Sequence, residues 1–169
     1  MKHSNNDINW EAVYHDQLPR IYNFFRYRVG DDLLAEDLTA LTFEKAWKSR
    51  DQYRSDLSAF STWLLSIARN AAADHFRRAR PEVALYDTPD SPEARPVEAS
   101  LLHEDEMERL STLLHHLDAR ERELIALKYG AELTNRAIGQ MLGLSESNVG
   151  TILYRVVARL RSEWEVKIK

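Results

Sequence analysis

Cysteine is absent from the 169-residue chain. Its absence excludes disulfides and every thiolate metal site, and it suits a reducing compartment such as the cytoplasm. Nowhere do about 18 apolar residues run together, so no transmembrane helix and no membrane insertion are expected. The opening residues, Met-Lys-His-Ser-Asn-Asn-Asp, lack the apolar stretch of a secretory signal. A surplus of positive charge is also missing: 23 Lys and Arg stand against 27 Asp and Glu, a net charge of −4. A protein that coats DNA by charge alone is basic, so nucleic-acid contact here must be local or assisted. No phosphate-cradling Gly-rich loop, dinucleotide turn or Ser-His-Asp arrangement is found, so neither catalysis nor a cofactor is expected. His115 and His116 are neighbours and would point ~100° apart on a helix, which is unsuited to chelation, and His103-Glu104 lacks a second histidine. No metal is expected.

What the chain does contain is helical pattern. It is 44% hydrophobic and 30% charged, enough to bury a core and remain in solution. From Trp10 to Arg80 there are few breakers. Gly30-Asp31-Asp32 reads as a loop followed by a helix start. Leu34, Leu38 and Leu41 recur at helical spacing, while Phe43 and Trp47 lie on another side of the same helix. A helix apolar on two sides is usually buried twice, in its own core and against a partner. Pro19 is expected to kink its helix locally. The polar stretch "RDQYRSDLS" (50–58) separates this helix from the next, whose basic end "HFRRAR" suits a helix C-terminus. Residues 81–100 hold four of the five prolines and five acids against one arginine, and have no sustained period. They read as an acidic linker. Helical pattern returns from about Leu101. The expected fold is all-α: two small helical domains, residues 10–80 and 105–165, joined by a flexible linker over 81–104.

"LTNRAIGQMLGLSESNVGTILYRVVARLR" (133–161) has the rhythm of a helix-turn-helix. Its first helix runs through Arg136 to Leu142, Gly143 permits the turn, Leu144 points inward and Ser145 caps the second helix. At ~100° per residue, Val149, Ile152, Val156 and Leu160 share one side of that second helix, with Leu153 and Val157 beside them. Opposite lie Ser147, Thr151, Tyr154, Arg155, Ala158 and Ser162, with Asn148 and Arg159 at an edge. Arg155 can take a phosphate or a guanine edge, Asn148 an adenine and Thr151 a thymine methyl. The first turns of such a helix enter the major groove. On this pattern alone, an amphipathic helix of an unrelated bundle remains open.

The helix beginning at Phe60 divides similarly. Phe60, Trp63, Leu64, Ile67 and Ala71 fall together, and Thr62, Ser66, Arg69, Asn70 and Arg77 fall on the other side. That second face has the chemistry to follow a DNA backbone. Tyr53, Arg54 and Asp56, in the loop just before it, are suited to holding an unstacked base. An ordinary solvated face fits the same residues. Trp63 suits either the core or a place near melted DNA, with the core favoured. Asp74 and His75 read as helix-end or packing residues.

"AEDLTALTFEKAWK" (35–48), "FSTWLLSIARNAAADHFRRAR" (60–80) and the helix-turn-helix occur in that order, and together they resemble the extracytoplasmic-function group of bacterial sigma factors. The resemblance covers about residues 10–80 and 105–165. It implies that the first domain is sigma region 2 and the second is sigma region 4. It further implies an alternative sigma factor, without catalysis, that binds core RNA polymerase through the β′ clamp helices, reads promoter DNA and is held in check by an anti-sigma factor. The polymerase contact would fall on Glu36, Asp37, Leu41, Thr42, Phe43, Lys45 and Trp47. The melted −10 element would meet Tyr53, Asp56, Thr62, Ser66, Arg69, Asn70 and Arg77. The −35 duplex would meet Ser147, Asn148, Thr151, Tyr154, Arg155 and Arg159. The chain departs from common residues of the group at Ala40, Leu41, Arg136, Gly139, Gly150 and Ile152. Two other functions are compatible with the pattern: a stand-alone helix-turn-helix regulator, and a sigma-shaped adaptor that no longer reads promoters.

Overall fold

In a computed structural model the chain is described over residues 8–83 and 101–166, with the side chains of 80–83 and 101–105 left out. The N-terminal residues 1–7, most of the acidic stretch, and the His103-Glu104 side chains lie outside that description. All regular structure among the described residues is helical.

Helix α1 (Trp10–Val29) starts at Asn9, whose side chain accepts from the Ala12 N–H. It contains Pro19 and ends at Gly30, in left-handed conformation with φ 72°. Asp31 then caps α2 (Asp32–Lys48) by accepting from the Leu34 N–H at 2.7 Å. A 3-10 turn, Arg50–Gln52, opens the polar loop, and α3 spans Phe60–Val83. These helices close on Ile21, Phe24, Phe25, Ala35, Leu38, Ala46, Leu64, Leu65 and Ala68. The buried stripe of α3 is Leu64, Leu65, Ala68, Ala71 and Ala72, rotated from the predicted one. Phe60, Trp63 and Ile67 are only half-buried. Phe60 and Trp63 pack against the edge of that core while also making ring contacts with Trp10 and Tyr53.

The second half holds α4 (Leu101–His115), α5 (Ala119–Ile125), a π turn (Ala126–Gly130), α6 (Asn135–Leu142) and α7 (Glu146–Val166). Asp118 and Glu121 form a reciprocal capping box at the start of α5. Helices α3 and α4 reach into the predicted linker from both sides.

The two halves are packed together, and one hydrophobic cluster runs through both. The π turn lies directly on α1. A Cβ on Gly130 would stand 2.7 Å from the Asn23 carbonyl oxygen and 2.8 Å from the Phe24 Cα, so only glycine allows this approach. The Arg20 guanidinium donates twice to the Ala131 carbonyl, at 3.1 and 2.9 Å. The Ser111 hydroxyl donates to the carbonyl of Gly30 at 2.9 Å.

Candidate nucleic-acid and polymerase interfaces

The helix-turn-helix is built as its sequence suggests. Thr134 caps α6 by accepting from the Ala137 N–H, and Gly143 takes the left-handed turn with φ 70°. The Leu144 N–H donates to the Gly139 carbonyl at 2.8 Å, and Ser145 Oγ accepts from the Asn148 N–H at 3.1 Å. The turn lies so close to α6 that a Cβ at Gly139 would be 2.5 Å from the Leu144 carbonyl oxygen.

Gly150 is different. The nearest atom to a Cβ there is Asn135 Nδ2 at 3.4 Å, an ordinary contact. Gly150→Ala is therefore expected to stabilise the chain by about 1 kcal/mol through helix propensity alone. A thermal melt checks this, and a lower melting temperature would mean that packing at Gly150 is tighter than the geometry allows.

Val149, Leu153 and Val156 fix the inner side of α7. Ser147, Asn148, Thr151, Tyr154, Arg155 and Arg159 are all exposed, Tyr154 by 79%. Arg155 makes no ion pair among the described residues, whereas Arg159 is paired with Glu121 of α5. The Thr151 hydroxyl donates to the Ser147 carbonyl at 3.0 Å.

On α3, Thr62, Asn70 and Arg77 are exposed and Ser66 is half-buried, its hydroxyl donating to the Thr62 carbonyl. Arg77 is paired with Asp74. The loop before α3 is tied shut by the Tyr53 hydroxyl, which donates to the Ser58 carbonyl at 3.1 Å, and by an Arg54–Asp56 ion pair. Tyr53 packs edge-on against Phe60 and tilted against Trp63, with ring centroids 5.3 and 5.2 Å away. Arg69 is not on an open face: its Nε donates to Glu123 Oε1 of the second domain at 2.7 Å.

On α2, Glu36, Asp37, Leu41 and Trp47 are exposed. Phe43 is half-buried against Tyr14, and Lys45 lies 3.8 Å from Asp74. Thr42 corrects the prediction. It is fully buried, and its hydroxyl donates to the Leu38 carbonyl at 2.7 Å, so it packs the bundle and offers no exposed surface. It lies one turn beyond Leu38, on the α2 face that the first domain's core encloses.

Sequence reasoning missed Trp10 and Tyr14. They lie beside Trp47 and Phe43 respectively, with centroids 5.2 and 4.8 Å apart, and extend the exposed aromatic edge of α2. The signal was present as two aromatic pairs, each with a spacing of four, on successive helices. Also missed were Arg28, which lies near Glu123, and Arg122, whose Nε donates to the Leu114 carbonyl at 2.9 Å. Burial lowers the pKa of both guanidiniums from its ordinary value, and for Arg28 the neighbouring Glu123 opposes that effect. Among the described residues no group of acids and histidines is placed to hold a metal, and no helix is long and apolar enough to cross a membrane.

Comparison with known proteins agrees with this geometry. The family model for sigma-70 region 2 matches residues 13–82, and that for sigma-70, region 4 matches residues 113–162. The ECF RNA polymerase sigma factor BldN of Streptomyces coelicolor is 31% identical over 88% of this chain, which spans 57% of that relative's length. The RNA polymerase sigma factor CarQ of Myxococcus xanthus is 30% identical over 90% of this chain and 87% of its own. Among solved structures, the sigma factor RpoE of Bartonella quintana, in complex with the anti-sigma factor NepR, superposes with a TM-score of 0.75 at 23% identity, covering 94% of this chain and 98% of that one. The region 2 match is followed by the region 4 match along this chain, and the chain belongs to the extracytoplasmic-function group of the sigma-70 family of RNA polymerase sigma factors.

Proposed function

We propose that the chain acts in the cytoplasm as an alternative sigma factor that catalyses nothing itself. It binds core RNA polymerase through the α2 edge (Glu36, Asp37, Leu41, Phe43, Trp47), reads melted −10 DNA with α3 and its preceding loop, and reads −35 duplex with α7. The observation that supports this best is one chain carrying three separate outward faces, each on a helix whose other side is anchored in the core. A thin recognition helix suffices when polymerase and a second DNA contact share the load, because linked sites act at an effective concentration on the order of mM. An anti-sigma factor is a further proposed partner, supported by the relative solved with one.

The test is run-off transcription with core polymerase on a genomic promoter library. A shared pair of upstream motifs is the expected product. Arg155→Ala should cost about 1–3 kcal/mol of −35 discrimination, roughly tenfold in promoter use. Asn70→Ala should depress promoter melting while leaving polymerase binding intact. A chain that shifts duplex DNA specifically but ignores polymerase would overturn the proposal in favour of a stand-alone regulator.

A further inference from the structure

We infer that Glu146 and Arg136 form a two-residue reader at the leading end of α7. Glu146 accepts from the N4 amino group of a cytosine in the −35 element, and Arg136 takes a neighbouring backbone phosphate and shields the carboxylate. The inference rests on the −35 role proposed for α7 and adds two residues to it, one of them on another helix. It starts from a charge of the wrong sign. Residues 146–154, the first turns of α7, carry one charged side chain, Glu146, and no cation. These turns are the part of such a helix that enters the major groove. A bare carboxylate there is repelled by the phosphates of both strands. The fold supplies a counter-charge from the first helix of the motif: Arg136 Nε lies 3.7 Å from Glu146 Oε2.

Backbone contacts hold the two residues together. Ser145 sets the start of α7, and the Leu144 N–H bond to the Gly139 carbonyl locks the turn against α6. Arg136, in the first turn of α6, and Glu146, the first residue of α7, converge across that turn. Their side chains are 77% and 61% exposed, and an ion pair so open contributes little to stability. At 3.7 Å it is too long for a hydrogen bond, so its donors and acceptors are available to a ligand. Arg159, further along α7, is instead hydrogen-bonded to Glu121. The chemistry of each group selects its target. A carboxylate only accepts hydrogen bonds. In the major groove guanine shows O6 and N7 and thymine shows O4, all of them acceptors, and adenine sets its N6 donor beside the N7 acceptor. Cytosine shows the N4 donor alone, so it is the base a carboxylate takes. A guanidinium matches phosphate, and the first helix of a helix-turn-helix crosses the backbone. Glu146 therefore specifies and Arg136 positions.

The test is transcription by the full chain with core polymerase from promoters randomised across the −35 element, with the products sequenced. One position should be dominated by cytosine. Glu146→Gln should shift that position alone toward adenine, by about tenfold, because an amide pairs with adenine N6 and N7. Arg136→Gln should weaken promoter binding for all sequences and lower the slope of log affinity against log salt by about one, and Arg136→Lys should restore most of that slope. Both Gln variants should melt with the parent, as open surface positions do. A Glu146→Gln chain that keeps every base preference, or loses all sequences alike, overturns the reader. An unchanged salt slope in Arg136→Gln overturns the phosphate contact. Failure of the −35 role itself looks different, because the parent then selects no upstream motif at all. If Arg155→Ala changes base preferences and Glu146→Gln does not, α7 still reads DNA and the inference about Glu146 alone falls.

Discussion

Replacing Phe24 with alanine is expected to lower the stability of the chain by about 3–5 kcal/mol, the cost of a large cavity at a site that cannot collapse. Phe24 is fully buried, its ring lies 5.2 Å from that of Phe25, and its backbone carries the close contact with Gly130. The neighbours that would have to move inward are therefore backbone as well as side chains. Against a total of roughly 5–15 kcal/mol, the loss takes away a third or more of the margin. Urea denaturation should show the midpoint falling with an unchanged slope. Leu57→Ala provides the contrast. Leu57 is 72% exposed in the loop before α3, and its truncation should fall within about 0.5 kcal/mol of the parent. If the two variants denature at the same urea concentration, the core has been misplaced.

Local structure was largely legible from local signals. Asp31, Gly143 and Ser145 stand where a cap or turn must stand, and they act through neighbours no more than four residues away. The outward side of α7 followed from its period, because one strong apolar stripe fixes the opposite face. The α3 stripe was displaced because aromatic residues carry two pulls: Phe60 and Trp63 satisfy the helical period, but they pack sideways onto Trp10 and Tyr53. Thr42 was misread for a related reason. A threonine beside Leu41 and Phe43 looks like part of a polar contact surface, yet its hydroxyl is satisfied within its own helix. What the sequence hid entirely was the seam between the halves. Arg69 and Glu123 are 54 residues apart, and neither periodicity nor composition pairs charges across a linker. Glycine 130 gave no warning either, since its φ is ordinary and its necessity comes from α1 arriving from elsewhere in the chain.

Trp47→Ala should weaken the binding of core polymerase by about 2 kcal/mol or more, roughly thirtyfold, the scale of an aromatic anchor at an interface. Trp47 is 50% exposed on the last turn of α2, too open for a core residue, and it shares an aromatic edge with Trp10. Its ring is already held in place: Trp10 packs edge-on at 5.2 Å and the Arg50 guanidinium lies 4.4 Å above it. A ring held by such contacts loses little freedom on docking, which is what makes an anchor efficient. The same variant should melt close to the parent, because the buried side of this turn is Ala46. Thr42→Val is the matched control five positions earlier. It removes a buried hydroxyl that bonds within α2, so it should alter stability by about 1 kcal/mol and leave polymerase affinity unchanged. Titrating labelled protein with core polymerase separates the two. Should Thr42→Val weaken binding as much as Trp47→Ala does, the polymerase must respond to the shape of the whole bundle, and the exposed α2 edge is not the docking face. Should only Trp47→Ala weaken it, the face is located, and Trp10 and Tyr14, beside that edge on α1, become the next residues to replace.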